Sequence, residues 1–146
     1  MALVKSISGI RGTIGGRVAE GLSPVDVVRF TAAYATQRLA MIPDNKTIVV
    51  GRDARLSGEM VDQLVCGTLI GMGYDVINIG LASTPTTELA VTGLGAAGGI
   101  ILTASHNPKE YNGYKAYWED GSQVLQPHDQ GIIDEVNKVT LADVKM

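Results

Sequence analysis

Hydrophobic and polar positions run along the chain in blocks of changing period, and the blocks succeed one another as strand, helix, strand, helix. Ser6 to Ile10 is short and extended in character, and Gly9, Gly12, Gly15 and Gly16 then surround Arg11 in what reads as a glycine-rich loop. Ser23-Pro24-Val25-Asp26 offers an N-cap hydroxyl, a first-turn proline and an acid that complements the helix dipole. A helix is predicted from there to about Met41. Pro43-Asp44-Asn45 breaks it, and the β-branched run Thr47-Ile48-Val49-Val50 predicts a strand buried on both faces. After Gly51-Arg52-Asp53-Ala54-Arg55, Ser57 is expected to cap a second helix. Its stripe of Val61, Leu64, Val65, Thr68, Leu69 and Met72 keeps helical spacing, and Gly71 and Gly73 suit its end.

Tyr74 to Ile79 predicts another buried strand closed by Gly80, Thr84-Pro85 opens a third and shorter helix, and Ala97 to Thr103 is the next apolar run. Tyr114 to Trp118 follows Ser105 too closely for a helical crossover, so it must run antiparallel to its predecessor. Val124 to Val139 ends in a helix. The order implies an α/β fold: one three-layer α/β/α domain over residues 1–146, with a mixed, mostly parallel sheet of about four strands. Ligands of such sheets gather at the carboxyl ends of the strands. The loops expected there carry Arg11, Arg52 with Arg55, Ser83 with Thr84, and Ser105 with His106.

Composition narrows the function classes. A chain of 146 residues is one domain long and buries roughly 70% of the surface its unfolded form would expose. With 45% hydrophobic and 18% charged residues it is globular rather than disordered. Twelve basic against 15 acidic side chains leave a charge of −3, without the clustered cations that nucleic-acid binding needs. The lone Cys66 excludes an intramolecular disulfide and cannot form a zinc site by itself. No secretory n-region and no run of 18 apolar residues occurs, which removes the membrane and places the chain in the cytoplasm. Eighteen glycines, about 12% against a usual 7%, fall between periodic segments and read as turns.

Two familiar motifs fail on context. Gly93-Leu94-Gly95-Ala96-Ala97-Gly98 has the letters of a dinucleotide fingerprint but precedes a strand instead of opening a helix, and no glycine is followed by lysine as a P-loop demands. Ser105-His106 lacks a nucleophile elbow, and adjacent side chains in extended chain point apart. The informative stretch is Thr103-Ala104-Ser105-His106-Asn107-Pro108-Lys109-Glu110-Tyr111-Asn112-Gly113-Tyr114-Lys115. Asn-Pro and Asn-Gly account for a turn, but a turn does not require Ser, His, Asn and Lys together at the edge of an apolar strand. That cluster suits a phosphate, whose oxygens turn amides, histidine and lysine can all contact.

Thr103 to Lys115 resembles the active-serine loop of the α-D-phosphohexomutases, the family of phosphoglucomutase, phosphomannomutase and phosphoglucosamine mutase. Ser8-Gly9-Ile10-Arg11-Gly12-Thr13 resembles that family's N-terminal arginine loop, and Gly51-Arg52-Asp53-Ala54-Arg55 its second basic loop. The resemblance implies that Ser105 carries a phosphoryl group, gives it to a hexose 1-phosphate to form a hexose 1,6-bisphosphate, and receives the other phosphoryl group after the sugar turns over. It implies catalytic roles for Ser105, His106, Lys115 and Arg11, and substrate or phosphate binding by Asn107, Arg52 and Arg55. It further implies Mg2+, bound in part through the Ser105 phosphate, with the remaining ligands in domains beyond this one. Glu119-Asp120-Gly121 has a single aspartate and does not replace the family's metal loop. On this reading the chain is the first domain of a longer enzyme, its partners are hexose phosphates and the remaining domains of the same polypeptide, and alone it lacks mutase activity. A module that binds phosphate or sugar phosphate without chemistry is the alternative.

Overall fold

The computed structural model describes residues 3–6, 9–17, 20–125 and 127–144. Among these residues six strands and four helices follow in order: β1 Val4–Ser6, β2 Gly9–Thr13, α1 Pro24–Met41, β3 Thr47–Arg52, α2 Gly58–Gly71, β4 Asp75–Leu81, α3 Thr84–Gly93, β5 Gly98–Leu102, β6 Tyr111–Trp118 and α4 His128–Lys138, with a 3₁₀ turn at Leu141–Asp143. They form one sheet in the order β1-β2-β6-β5-β3-β4. β3 pairs in parallel with β4 and β5, whereas β5–β6, β6–β2 and β2–β1 are antiparallel. The sheet is mixed, as the short Ser105-to-Tyr114 connection requires, but among the described residues it has six strands rather than about four, and three of its five pairings are antiparallel, against the mostly parallel expectation.

The helix starts show how local sequence fixes the elements. Ser23 Oγ accepts the Asp26 amide while the Asp26 carboxylate accepts the Ser23 amide, so the acid closes a capping box. The cap of α3 is Ser83 rather than Thr84, which becomes the first helical residue and moves Pro85 to the second. Ser57 precedes α2 in a helical conformation and makes no cap bond. Its Oγ accepts instead from Nδ2 of the buried Asn112 at 2.9 Å, tying the start of α2 to β6.

Alternation along the strands splits the core. Ile48, Val50, Ile100, Leu102 and Tyr114 pack with Phe30 and Tyr34 of α1, Val61, Val65 and Leu69 of α2, and Ile132 and Val136 of α4. Val49 packs on the opposite face with Val91 of α3 and with Ile77 and Ile79. Three helices therefore cover one face and α3 the other, the expected three layers. β5 is buried at every position, but β4 is the edge strand and is buried at none, against the expectation for Tyr74 to Ile79.

The amino-terminal segment departs most from the sequence reading. Arg11 sits in the middle of β2, paired with Gly113 of β6, and not in a loop. Ser8, quoted with the arginine motif, lies outside the described residues. Gly9, Gly12, Gly51, Gly98, Gly99 and Gly113 stand inside strands, where they permit close approach instead of marking turns.

Candidate active site

β2 runs antiparallel to β6, which runs antiparallel to β5, so β2, β3, β4 and β5 all point the same way and end on one rim. Thr103, one residue past β5, donates its amide to the Gly113 carbonyl, and Gly113 is the partner of Arg11. Lys115 pairs with Gly9 two residues back along the register, and cross-strand partners and alternate residues share a face. Arg11 and Lys115 thus stand as diagonal neighbours on one face of the sheet, each opposite a glycine.

These glycines are sterically required. A Cβ on Gly113 would lie 2.0 Å from the Ile10 carbonyl oxygen, and one on Gly9 would lie 1.8 Å from that of Tyr114. Gly9 also has φ of +137°, a conformation that side chains disfavour. The two backbones are pressed together beside the two cations, and a pocket of about 50 Å³ opens there, lined by Gly9, Arg11, Thr103, Ser105, Tyr114 and Lys115 among others.

Ser105 stands at that pocket, exposed, with φ of +55°, the one non-glycine among the described residues in the left-handed region. Such a conformation costs about 1–3 kcal/mol and persists only where its surroundings impose it. Here they are explicit. The Ser105 amide donates to Thr103 Oγ1 at 2.9 Å, and the Asn107 amide donates to the Ala104 carbonyl at 3.0 Å. Asn107 Oδ1 accepts from Arg11 Nη1 at 3.0 Å, which joins β2 to the serine loop across 96 residues of sequence.

Arg55 supports the loop from below. Its Nη1 donates to the carbonyls of Pro108 and Tyr111 at 2.8 and 2.9 Å, and its Nη2 to those of Ser105 and Asn107 at 2.9 and 2.8 Å. Nε donates to Asp53 Oδ2 at 3.2 Å, and Asp53 Oδ1 accepts the Arg55 amide. All five donors of the guanidinium are engaged by protein acceptors, and the side chain is only 12% exposed.

The other expected site residues are distributed less tightly. His106 is exposed and makes no hydrogen bond among the described residues. Arg52 donates to the Asp53 carbonyl at 3.3 Å and packs by Gly58 at the start of α2, and among the described residues it makes no hydrogen bond to the serine loop. Ser83 is used as the cap of α3. Sequence reading misses Thr103, Asp53 and Asn112 as supports. Thr103 two residues before Ser105 and Asp53 two before Arg55 both have the spacing of side-chain-to-amide turns, a signal that could have found them.

Chemically, a serine hydroxyl beside two cations and a polar turn suits a phosphoryl group, which gains charge-assisted bonds there. Metal ligands are another matter. Among the described residues no three of His, Cys, Asp and Glu are grouped to hold a cation.

The family described as phosphoglucomutase/phosphomannomutase, alpha/beta/alpha domain I, matches residues 4–143. This chain belongs to that family. The phosphoglucosamine/phosphogalactosamine mutase of Sulfurisphaera tokodaii is 36% identical over 126 residues, which are 86% of this chain and 26% of that protein. A probable phosphoribomutase of Schizosaccharomyces pombe is 34% identical over 134 residues, 90% of this chain and 23% of the relative. The crystal structure of a protein described as a phosphomannomutase from Thermus thermophilus superposes with a TM-score of 0.84 at 31% identity, covering 100% of this chain and 33% of that one. The chain thus spans about a quarter of the length of these curated relatives. The α-D-phosphohexomutase resemblance and the α/β/α architecture both stand. No helix among the described residues is long and apolar enough to cross a membrane.

Proposed function

We propose that this chain is the phosphoseryl domain of a phosphohexomutase that interconverts hexose 1-phosphate and hexose 6-phosphate. The observation that carries the reading is Ser105, held in a left-handed turn at a pocket that also contains Arg11 and Lys115. A seryl phosphate survives because uncatalysed monoester hydrolysis is extremely slow, so the group is stored until a site stabilises its transfer. In the transfer, a sugar hydroxyl oxygen forms the new bond to phosphorus as the bond to Ser105 Oγ breaks. The hydroxyl proton goes to a base, and the bisphosphorylated sugar leaves Ser105 free. Return of the second phosphoryl group reverses the step.

Positioning and charge supply most of the catalysis of such transfers. Arg11, fixed by Asn107, places a guanidinium by the phosphoryl oxygens, and Lys115 stands beside it as the proton-transfer group. His106, exposed on the same turn, faces incoming substrate. Asn107 completes the polar rim, whereas Arg52, at the end of β3, is turned to the Asp53 carbonyl. Mg2+ belongs to this proposal, but the residues here do not build its site: the Ser105 phosphate is the ligand this domain supplies, and the others come from elsewhere in the enzyme. Relatives named for glucosamine, galactosamine and ribose phosphates share this domain, which supports a division in which it delivers the phosphoryl group and other domains read the sugar. The isolated domain is then inactive, and a cytoplasmic setting fits its single free thiol.

Phosphopeptide mapping of the native protein tests the reading, together with turnover of the S105A variant in the complete polypeptide. Phosphate on Ser105 and loss of at least about 10³-fold in kcat for S105A are expected. An unmodified Ser105, or near-normal turnover in S105A, overturns it. Tight hexose phosphate binding by the isolated domain would favour the binding module.

A further inference from the structure

We propose that Arg55 is a positioning residue for phosphoryl transfer, acting through the backbone of the serine loop and never on the sugar phosphate. The inference rests on the phosphoseryl reading above, but its basis is the geometry of the guanidinium alone. A phosphate-binding arginine needs free N–H groups, and those of Arg55 are all occupied, four by the carbonyls of Ser105, Asn107, Pro108 and Tyr111 and the fifth by Asp53. The planar fork holds two carbonyls on each terminal nitrogen, which a point-charge ammonium cannot reproduce.

The effect on the loop follows. Four carbonyls drawn to one side of the turn place their negative ends on Arg55, away from the face where the phosphoryl group would sit. Ser105 is gripped by its own carbonyl on one side and by the Thr103 hydroxyl on its amide, which together hold its strained φ. Asn107 is gripped by its carbonyl, so its side chain is held in reach of Arg11. Arg55 thereby sets two distances at once: that of Ser105 Oγ from the pocket and that of Arg11 from the transferred group. A misplacement of about 1 Å costs on the order of 100-fold in rate, so its loss should appear in kcat and leave substrate affinity intact.

R55M and R55K in the complete polypeptide test this, with steady-state kinetics and hydrogen exchange read on each. The reporter amides are those of Ser105, Asn107 and Tyr111, which bond to Thr103 Oγ1, Ala104 O and Pro108 O. For R55M, exchange at these amides should rise about tenfold or more while strand β5 stays protected, and kcat should fall about 100-fold with KM for hexose 1-phosphate within about twofold. R55K, able to serve part of the carbonyl set, should fall between wild type and R55M on both readouts, and it carries the test if R55M does not fold. Unchanged exchange at the three amides overturns the proposal, as does a raised KM with preserved kcat, which would put the guanidinium on substrate. If the wild-type protein turns over no sugar phosphate, the functional reading fails while the exchange data still decide whether Arg55 holds the loop.

Discussion

The two rims of the sheet each carry a buried or half-buried arginine, and they use it differently. At the amino ends of the parallel strands, Arg38 of α1 is 1% exposed. It donates twice to the Ala97 carbonyl at 3.1 and 2.8 Å, pairs with Glu119, and lies 4.2 Å from the centre of the Trp118 ring. The guanidinium itself is shut off from solvent, although Glu119 is half exposed. At the carboxyl ends, Arg55 is equally engaged, but what it holds is an exposed serine in a strained conformation beside cations on an open pocket. One rim places its polar groups so as to satisfy them, and the other so as to leave a few of them available. The first rim is closed and satisfied and the second carries strain and exposed polar groups, the arrangement expected of a functional site.

Substitution at the closed rim should give the largest stability effect. R38M leaves the Ala97 carbonyl without its partner and Glu119 without its cation. Breaking a buried pair costs about 3–5 kcal/mol, and because Glu119 is half exposed the lower end applies. A fall in Tm of roughly 6–12 °C is expected by thermal denaturation, with turnover per folded molecule unchanged. A loss of kcat as large as that of R55M would erase the distinction between the rims.

Relief of strain at the open rim sharpens the contrast with a smaller number. S105G accepts the positive φ without penalty, whereas S105A keeps it, so S105G should be the more stable by about 1 kcal/mol in urea denaturation, both being inactive. Equal stabilities would mean that the loop carries no strain. The smallest effect concerns Cys66 on α2, far from either rim in role. Burial, then the nearby Asp62 carboxylate, pushes its thiol up to about 11. Only about one molecule in 10³ is then thiolate at pH 8. Alkylation should be slow there and accelerate about tenfold per pH unit until pH approaches 11; a rate that levels off near pH 9 would show an ordinary, solvated thiol.

The helices and central strands are legible in the sequence because each signal is local. The Ser23–Asp26 cap, the α2 stripe and the β-branched run before Gly51 each decide their element without reference to the rest of the chain. β2 is legible only as far as the extended Ser6-to-Ile10 reading, because glycine is a poor strand former and what holds Gly9 and Gly113 in place is a backbone contact between segments distant in sequence. β4 has the composition of a buried strand but lies at the sheet edge, and strand order is not written in hydropathy. At the site, residue types are readable and their partners are not. Arg55 looks like a phosphate ligand in a basic loop until its acceptors are seen to be carbonyls of another loop.

The partnership of β2 with β6 also fixes when the site can exist. During synthesis the first hairpin emerges early, but a two-stranded hairpin is marginal on its own, and its edge waits for residues 111–118. Loop closure over about 100 residues makes this pairing among the most non-local in the domain, so it belongs to the late, slow part of folding. Arg11 meets Asn107 only then. The helix-covered core also draws on Tyr114 of β6 and on Ile132 and Val136 of α4, so a nascent chain stalled before β6 lacks part of that core as well as the Arg11–Asn107 contact, and carries an unpaired strand edge that invites aggregation.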